Sequence, residues 1–206
     1  MKDEELVKAY KHLKKDALMK EVLKATPALT FSPNKNLYQS LIRAIVSQQL
    51  SVKAAATIYE RFLNLFPGKD PAAEIVLRLD DEQFRNCGLS YQKAGYLKNT
   101  AQFSITYGLD YRKLYRKTDE ELIEHLTQIK GVGKWTVEMI LMFSLNRPDV
   151  FPVDDLGIQQ AMKKLYQLDG NGKELHQQMH EIAKQWQPYR TIACRHLWRW
   201  KDSNKD

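Results

Sequence analysis

Two adjacent aspartates, Asp154 and Asp155, lie in the stretch VFPVDDLGIQQ at the predicted start of a helix. The ordinary role of an aspartate at this position is to cap the helix by accepting a hydrogen bond from a backbone N–H. A helix N-terminus also favours a negatively charged side chain. An ionised carboxylate could stabilise positive charge developing on a sugar or orient a water molecule, as the acids of glycoside hydrolysis do. The residues alone leave both roles open.

Earlier in the chain, the stretch KGVGK from Lys130 to Lys134 inserts two glycines between predicted helices. Glycine adopts positive φ and lets another molecule approach the backbone closely. Successive amide groups followed by a helix N-terminus form an anion site, and the two flanking lysines suit a nucleic-acid phosphate. Such a contact would be independent of base sequence, because phosphates carry no base identity. The alternative is a tight helical hairpin whose glycines only relieve crowding.

The overall composition favours a polyanionic partner and excludes several other classes. The chain has 206 residues, a formal net charge of +7 and a pI near 9.2, a balance often found in nucleic-acid-binding proteins. The two cysteines, Cys87 and Cys194, form no CxxC motif, so neither a zinc site nor an iron–sulfur cluster built on clustered thiolates is expected. No signal peptide and no run of about 18 apolar residues is present. We therefore expect a soluble, intracellular protein without a membrane partner.

The elements that must position these residues are helical throughout. Apolar residues recur at three- and four-residue spacing along most of the chain, which is typical of amphipathic helices. Asp70 with Pro71 predicts one helix start, and Thr118 with Glu121 predicts a capping box at another. The pattern predicts no strand and about ten helices. The helical segments are residues 4–24, 36–49, 52–66, 70–79, 80–88, 92–107, 119–130, 134–145, 155–168, 173–186 and 188–200.

Four segments in this order resemble one known family: LIRAIVSQQLSVKAAATIYERF, GLSYQKAGYLKNTA, LTQIKGVGKWTVEMILMFSLNRPDVFPVDDLGI and PYRTIACRHLWRW. They are similar to the helix-hairpin-helix (HhH-GPD) DNA glycosylases, and within them to the alkyladenine, or DNA-3-methyladenine glycosylase II, type. The resemblance implies an all-α, two-lobed fold. It assigns residues 36–200 to the glycosylase domain, with the hairpin at about 121–145. Residues 1–35 would add helices to the C-terminal lobe, where some members carry a strand-rich domain, and residues 201–206 form a polar tail.

The resemblance also implies roles for the two motifs, which would lie at the mouth of a cleft. Asp155 matches the catalytic aspartate, and Asp154 is the alternative because the family's alignments are ambiguous by one place in this loop. The hairpin would bind a DNA phosphate through four consecutive residues: Gly131, Val132, Gly133 and Lys134. In relatives the hairpin carbonyls often hold a monovalent cation, which here would be Na⁺ or K⁺ near Gly131 and Gly133. No other cofactor and no metal ligated by side chains is implied.

Further positions match the base pocket and the wedge of the family. Trp135 and Trp198 would line the pocket together with Met139, which replaces a tyrosine of some relatives. The wedge that fills the gap left by a flipped nucleotide would be Gln49, with Leu50 as the alternative. Core packing is the ordinary role of a tryptophan, and we expect it for Trp186 and Trp200.

Trp135 stands where the lyases of this superfamily carry a nucleophilic lysine. A lysine there forms a Schiff base with the sugar and then cleaves the strand, which tryptophan cannot do. The neighbouring Lys134 cannot replace it, because consecutive helix positions do not share a face. The resemblance therefore implies a monofunctional enzyme that removes a base and leaves an abasic site.

The expected function is that of a base excision repair glycosylase hydrolysing the N-glycosidic bond of alkylated purines, of the 3-methyladenine and 7-methylguanine class, after base flipping. Its partner would be double-stranded DNA containing a damaged base. We expect a monomer, in the nucleoid of a bacterium or archaeon or in the nucleus of a eukaryote. Two alternatives remain: a non-catalytic DNA-binding module that senses distorted duplex, and a glycosylase for deaminated or oxidised bases.

Two groups of lesser candidates lie in the last third of the chain. His176 and His180 have a spacing that can bind a metal, although no third ligand is evident and solvated histidines explain them better. Arg190, Arg195 and Arg199 could reach phosphates. A solvated helix face explains these arginines almost as well.

Overall fold

The computed structural model describes residues 3–203, apart from the side chains of Asp3 and Val52. Within this range the chain forms α-helices joined by turns and one short 3₁₀ helix, and it contains no strand. The prediction of an all-α fold is confirmed. A helix long and apolar enough to cross a membrane does not occur among these residues.

Thirteen α-helices follow one another along residues 3–203. In chain order they are α1 Asp3–Leu13, α2 Ala17–Ala25, α3 Leu37–Ser47, α4 Val52–Leu63, α5 Ala73–Arg78, α6 Asp81–Asn86, α7 Tyr91–Tyr107, α8 Tyr111–Tyr115, α9 Asp119–Leu126, α10 Lys134–Phe143, α11 Leu156–Tyr166, α12 Gly172–Lys184 and α13 Arg190–Ser203. The 3₁₀ helix, Pro67–Lys69, lies between α4 and α5. The chain divides into two compact units, with one boundary inside α10: one unit combines the described residues up to Pro33 with those from Leu141 onward, and the other is Asn34–Ile140.

The first unit is organised around α13, which packs against α2 and α11. Its core includes the fully buried Met19, Ile158 and Leu197. Trp186 is also fully buried, as we expected for a core residue, and donates its Nε1–H to Oδ2 of Asp16 at 3.0 Å.

Asp16 also explains why the helix predicted at 4–24 is two helices. Its Oδ1 accepts hydrogen bonds from the backbone N–H groups of Leu18 and Met19, which starts α2 after the turn that ends α1. Its Oδ2 accepts from Tyr166 Oη at 2.6 Å and from Gln185 Nε2 at 3.1 Å. A buried carboxylate with several donors is well satisfied. The amphipathic stripe continues across the break, so periodicity alone could not locate it.

The second unit is organised around α7, which packs against α3, α5 and α6. Phe62, Phe84 and Leu97 are fully buried in its core. The capping box of Thr118 and Glu121 at the start of α9 is confirmed, with both reciprocal hydrogen bonds present. The short α8 was not predicted, because five residues are too few for a periodic pattern.

The predicted helix start at Asp70 is wrong. The Pro67–Lys69 turn, in which Gly68 has a φ of 62°, ends at Asp70, so this residue closes a 3₁₀ helix. Helix α5 begins only after Ala72, which provides no side-chain cap. The carboxylate of Asp70 instead accepts a hydrogen bond from Gln39 Nε2 at 2.9 Å.

Candidate active site

The loop that leads to the aspartate pair is fixed at its start by α13. Arg190 forms a bidentate ion pair with Asp149, with Nε 2.8 Å from Oδ1 and Nη2 2.9 Å from Oδ2. The hydroxyl of Thr191 donates to the carbonyl of Arg147 at 2.7 Å and accepts from the backbone N–H of Val150 at 2.9 Å. Arg190 is therefore engaged within the protein, a role that the sequence did not indicate.

Asp155 is both the cap of α11 and the partner of a tryptophan. Its Oδ1 accepts a hydrogen bond from the backbone N–H of Ile158 at 2.8 Å, as the N-cap prediction required. The same oxygen accepts from Nε1 of Trp198 at 2.8 Å. Two donors from different helices therefore fix the orientation of this carboxylate, which an N-cap alone does not need.

Gly157 is a further residue of this site that was not among the predicted ones. A Cβ at this position would lie 3.0 Å from Oδ1 of Asp155 and 3.0 Å from Cδ1 and Nε1 of Trp198. That separation is closer than an ordinary van der Waals contact. The glycine therefore allows the indole to reach the carboxylate. Its signal in the sequence was a glycine inside the first turn of a helix, where it is otherwise unfavourable.

Asp154 has different surroundings from Asp155. Its side chain is 55% exposed, and its Oδ1 lies 3.8 Å from Nδ1 of His176. Gln159 donates from Nε2 to the Val153 carbonyl at 2.9 Å, and the same nitrogen lies 3.1 Å from Nε2 of His176. An amide nitrogen is a donor, so Nε2 of His176 accepts and Nδ1 carries the proton in the neutral ring. His176 thus faces Asp154.

The other candidate histidine has a different neighbour. His180 packs its ring edge-on against Phe151, with the centroids 5.3 Å apart. Among residues 3–203 no group of three or more His, Cys, Asp and Glu side chains is arranged to hold a metal ion.

The first glycine of the hairpin is required by its backbone and by a neighbour. Gly131 has a φ of 102°, in the left-handed region, and a Cβ there would lie 2.1 Å from the ring of Tyr96. Tyr96 on α7 therefore packs directly against the hairpin backbone. Crowding, the alternative considered for these glycines, accounts for Gly131.

The second glycine has another setting. A Cβ on Gly133 would meet nothing within 4 Å. The carbonyl of Gly133 accepts the first backbone hydrogen bond of α10, from Val137 N–H at 3.2 Å. The amides of the first helical turn have no acceptor within the helix and point along its axis. The open space at Gly133 leaves room for a ligand to approach these amides.

Side chains from α7 and from the residue that follows α3 support the hairpin. Gln48 donates from Nε2 to the Gly131 carbonyl at 3.1 Å and to Thr136 Oγ1 at 3.3 Å, and Asn99 donates to the Lys130 carbonyl at 3.3 Å. Lys93 donates from Nζ to two carbonyls at the end of α3, those of Val46 and Gln48, at 2.7 Å each. Burial lowers the pKa of Lys93. Gln48 and Lys93 border a cavity of about 480 Å³ that the hairpin also lines.

The carbonyls proposed for a monovalent cation are already hydrogen-bonded. That of Gly131 accepts from Gln48, and that of Gly133 accepts from Val137. A carbonyl oxygen has two lone pairs, so each keeps one for a cation. Both carbonyls are thus available as ligands for a monovalent ion, whose binding stays a prediction.

The predicted wedge residues lie on the exposed turn after α3. Gln49 is exposed and has a φ of 58°, unusual for a residue other than glycine, and Leu50 is 37% exposed. Their neighbour Gln48 turns inward to the hairpin. Strained backbone at an exposed turn is common where a side chain has a function. A wedge role for Gln49 or Leu50 stays a prediction.

The predicted pocket residues occupy partly buried positions. Trp135 and Met139 lie one turn apart on α10 and are half-buried. Trp198 is also half-buried and stacks on Phe143 at a centroid distance of 5.7 Å and an interplanar angle of 29°. Lys134 is exposed, with Nζ 3.7 Å from Oε1 of the buried Glu138. Phe143 was not among the predicted site residues.

The family model described as HhH-GPD superfamily base excision DNA repair protein matches residues 42–188. This chain therefore belongs to the HhH-GPD superfamily, which confirms the resemblance.

Relatives of known name and structure agree with this membership. DNA-3-methyladenine glycosylase 1 of Schizosaccharomyces pombe is 41% identical over 177 residues, which are 82% of this chain and 76% of that protein. The structure of the S. pombe 3-methyladenine DNA glycosylase Mag1 in complex with abasic DNA is similar, with a TM-score of 0.85 and 38% identity over 93% of this chain and 95% of that one. A DNA-3-methyladenine glycosidase from Bacillus halodurans has a TM-score of 0.76 and 37% identity, covering 92% and 87%.

Proposed function

We propose that this protein is a monofunctional DNA glycosylase of base excision repair that removes alkylated purines. The observation that carries the proposal is the fixed carboxylate of Asp155, whose Oδ1 accepts from Ile158 N–H and from Trp198 Nε1, both at 2.8 Å. Preorganised charge aimed at a developing opposite charge lowers a barrier, because it needs no reorganisation during the reaction. The names of the similar proteins, DNA-3-methyladenine glycosylases, support the choice of alkylated bases.

The chemistry needs little more than this carboxylate. The bond between C1′ and the base nitrogen breaks, its electron pair leaves with the base, and positive charge develops on the sugar. Asp155 stabilises that charge or directs water to C1′. Water then bonds to C1′ and gives up a proton to Asp155 or to solvent. A 3-methylated adenine or 7-methylated guanine is cationic in DNA and leaves as a neutral base, so no general acid is required.

Aromatic side chains suit these cationic bases. An electron-poor, positively charged purine is attracted to the face of an indole. Trp135 and Trp198 are our candidates for the surfaces that hold the flipped base, with Met139 beside Trp135 on the same helical face. Some relatives have a tyrosine where this chain has Met139, so the pocket here would contain fewer aromatic rings. We therefore expect it to accept a different range of lesions.

Double-stranded DNA containing a damaged base is the proposed partner. The Gly131–Lys134 turn supplies backbone amides and a helix N-terminus for one phosphate, and the open space at Gly133 supports this. Gln49 or Leu50 would fill the gap left by the flipped nucleotide. The proposal includes a monomeric enzyme, a monovalent cation at the hairpin as the one cofactor, and a location with chromosomal DNA in nucleoid or nucleus.

The reaction should stop at the abasic site. Strand cleavage through a Schiff base requires an amine at the position that Trp135 occupies. We therefore expect oligonucleotides containing the lesion to break only after alkali treatment of the abasic product.

A panel of duplex oligonucleotides with one defined lesion each tests this function. It should contain 3-methyladenine, 7-methylguanine, a deaminated purine and an oxidised purine, and base release is measured with and without alkali. We expect release of the alkylated purines. Release of only deaminated or oxidised bases would replace the proposed specificity, and DNA binding without release of any base would favour a non-catalytic binding module.

A further inference from the structure

Arg195 on α13 lies between two aromatic rings. Its Cζ is 4.2 Å from the ring centroid of Phe31 and 5.3 Å from that of Phe143. Both distances are within the range of a cation–π interaction. Its Nη2 also donates to the carbonyl of Thr30 at 3.0 Å.

The surroundings of Arg195 differ from those of a surface arginine. Its side chain is half-buried, and among residues 3–203 it forms no ion pair with a carboxylate. Burial, and secondarily the charge of Arg199 one turn away, lowers its pKa. Removing a cation from water without a counter-ion is unfavourable, so the aromatic rings and one carbonyl must compensate for the lost hydration.

Phe143 connects this arginine to the candidate catalytic residue. Phe143 is 42% exposed, so packing alone restrains its ring poorly. Arg195 lies against it, Trp198 stacks on it at 5.7 Å, and Trp198 donates to Asp155. Residues three apart on a helix share a face, so α13 presents Arg195 and Trp198 together to this one ring.

We propose that Arg195 is a positioning residue for base removal: it holds Phe143, which holds the indole of Trp198 in the plane that lets Nε1 orient Asp155. This inference rests on the proposed function of Asp155. Arg195 touches neither the carboxylate nor the DNA in this account. The phosphate contact considered for this arginine is a different role, and it predicts a different experimental result.

Arg199 supplies a matched control. It lies one turn further on α13 and donates from Nη1 to the carbonyls of Pro27 and Ala28, at 2.8 and 3.1 Å. Both arginines therefore bind the same segment after α2 through carbonyls. Arg195 alone of the two contacts Phe143. Substituting either arginine should weaken the attachment of this segment, whereas only substitution of Arg195 should remove the contact with Phe143.

The test compares Arg195→Met, Arg195→Lys and Arg199→Met with the wild type on a duplex containing one alkylated purine. We expect Arg195→Met to lower the single-turnover rate of base release about tenfold, with DNA affinity changed less than about twofold, because one restraint on the hydrogen-bonded carboxylate is lost. Arg195→Lys should recover most of the rate, since an ammonium can also lie over an aromatic ring. Arg199→Met should stay within about twofold of the wild-type rate.

A second measurement needs no catalysis. The fluorescence of Trp198, obtained as the difference between each protein and its Trp198→Phe counterpart, should become more accessible to acrylamide in Arg195→Met and not in Arg199→Met. Unchanged Trp198 quenching in Arg195→Met would overturn the inference, as would an effect confined to DNA affinity or an Arg195→Lys variant as slow as Arg195→Met. A wild type that releases no base would defeat the proposed function, while the quenching result would still decide whether Arg195 holds Trp198.

Discussion

The indole Nε1 of Trp198 lies 2.8 Å from Oδ1 of Asp155, and the same oxygen accepts the N-cap hydrogen bond of Ile158. The two hydrogen bonds to this oxygen therefore orient the carboxylate. Trp198, which the family resemblance assigns to the base pocket, has a second task in this chain. It couples the position of α13 to the residue proposed to act on the sugar.

Trp198→Phe removes the donor and keeps an aromatic ring. We expect the rate of base release to fall about tenfold to a hundredfold, because a hydrogen bond to a charged group contributes about 1.5–3 kcal/mol. Single-turnover kinetics on alkylated duplex measure this rate, and Trp200→Phe on the same helix is the control. A Trp198→Phe enzyme with the wild-type rate would show that the hydrogen bond does not assist the reaction.

Gly157→Ala should disturb the same pair from the other side. The added Cβ would lie 3.0 Å from Oδ1 of Asp155 and from the indole of Trp198, so the two must move apart. We expect slower base release with little change in DNA affinity, measured by kinetics and by fluorescence anisotropy. Gly95→Ala in α7 is the matched control, because a Cβ there meets nothing within 4 Å. Equal rates for the two variants would contradict the close contact.

The two hairpin glycines should respond differently to alanine. In Gly131→Ala the added Cβ would lie 2.1 Å from the Tyr96 ring, and the alanine would need a φ of 102°. We therefore expect the free energy of unfolding to fall by about 3 kcal/mol. Gly133→Ala meets no atom of the protein and should fold normally. Its methyl group would occupy the space proposed for a phosphate, so DNA affinity should fall about tenfold, the equivalent of one lost hydrogen bond. Normal affinity of Gly133→Ala would argue against phosphate binding at this turn.

His196 is a buried residue that makes stability depend on pH. Thr26 Oγ1 donates to the Val22 carbonyl at 2.7 Å, so it accepts from Nδ1–H of His196 at 2.6 Å. Nε2 is then the acceptor in its 3.1 Å contact with the hydroxyl of Tyr10. These bonds fit the neutral ring. Burial, with the nearby Arg199 and Arg195, lowers the pKa of His196 to about 4.

The lowered pKa sets the direction of the effect. An unfolded chain binds a proton to this histidine below a pH of about 6.5, whereas the folded protein does so only near its own, lower pKa. The contribution of His196 to the free energy of unfolding is therefore fully present above the pKa of the unfolded chain. It is lost as pH falls from that pKa to the pKa of the folded protein, by about 1.4 kcal/mol per pH unit. Urea unfolding of the wild type and of His196→Gln from pH 7 to pH 4 measures this. Parallel stability curves for the two proteins would contradict the assignment.

Local sequence was sufficient where one short-range interaction decides the structure. The capping box of Thr118 and the helix start at Asp155 depend on backbone groups three residues away, and a pattern of that range is readable from the chain. The N-cap of Asp16 at the start of α2 is equally local. The contacts of its second carboxylate oxygen are not, because Tyr166 and Trp186 are far along the chain and no local pattern indicates them.

The candidate site shows the same limit. The hairpin glycines could be recognised because glycine is unusual between two helices, and the aspartate pair because the sequence around it resembles the HhH-GPD family. The contacts of Phe143 with Trp198 and Arg195 could not, because each residue alone is ordinary in an amphipathic helix. The different neighbours of Asp154 and Asp155 could not be predicted either, since adjacent residues with the same side chain are equivalent in a local pattern.

The catalytic role of Asp155 is tested most directly by the single-turnover rate of base release from a duplex with one alkylated purine, measured for Asp155→Asn and Asp154→Asn. Asparagine keeps the size of the side chain and removes the negative charge. We expect Asp155→Asn to be slower by about a hundredfold to a thousandfold, in line with the loss of one preorganised electrostatic contact, while still binding the DNA, and Asp154→Asn to remain near the wild-type rate. Undiminished base release by Asp155→Asn would contradict a catalytic role for Asp155.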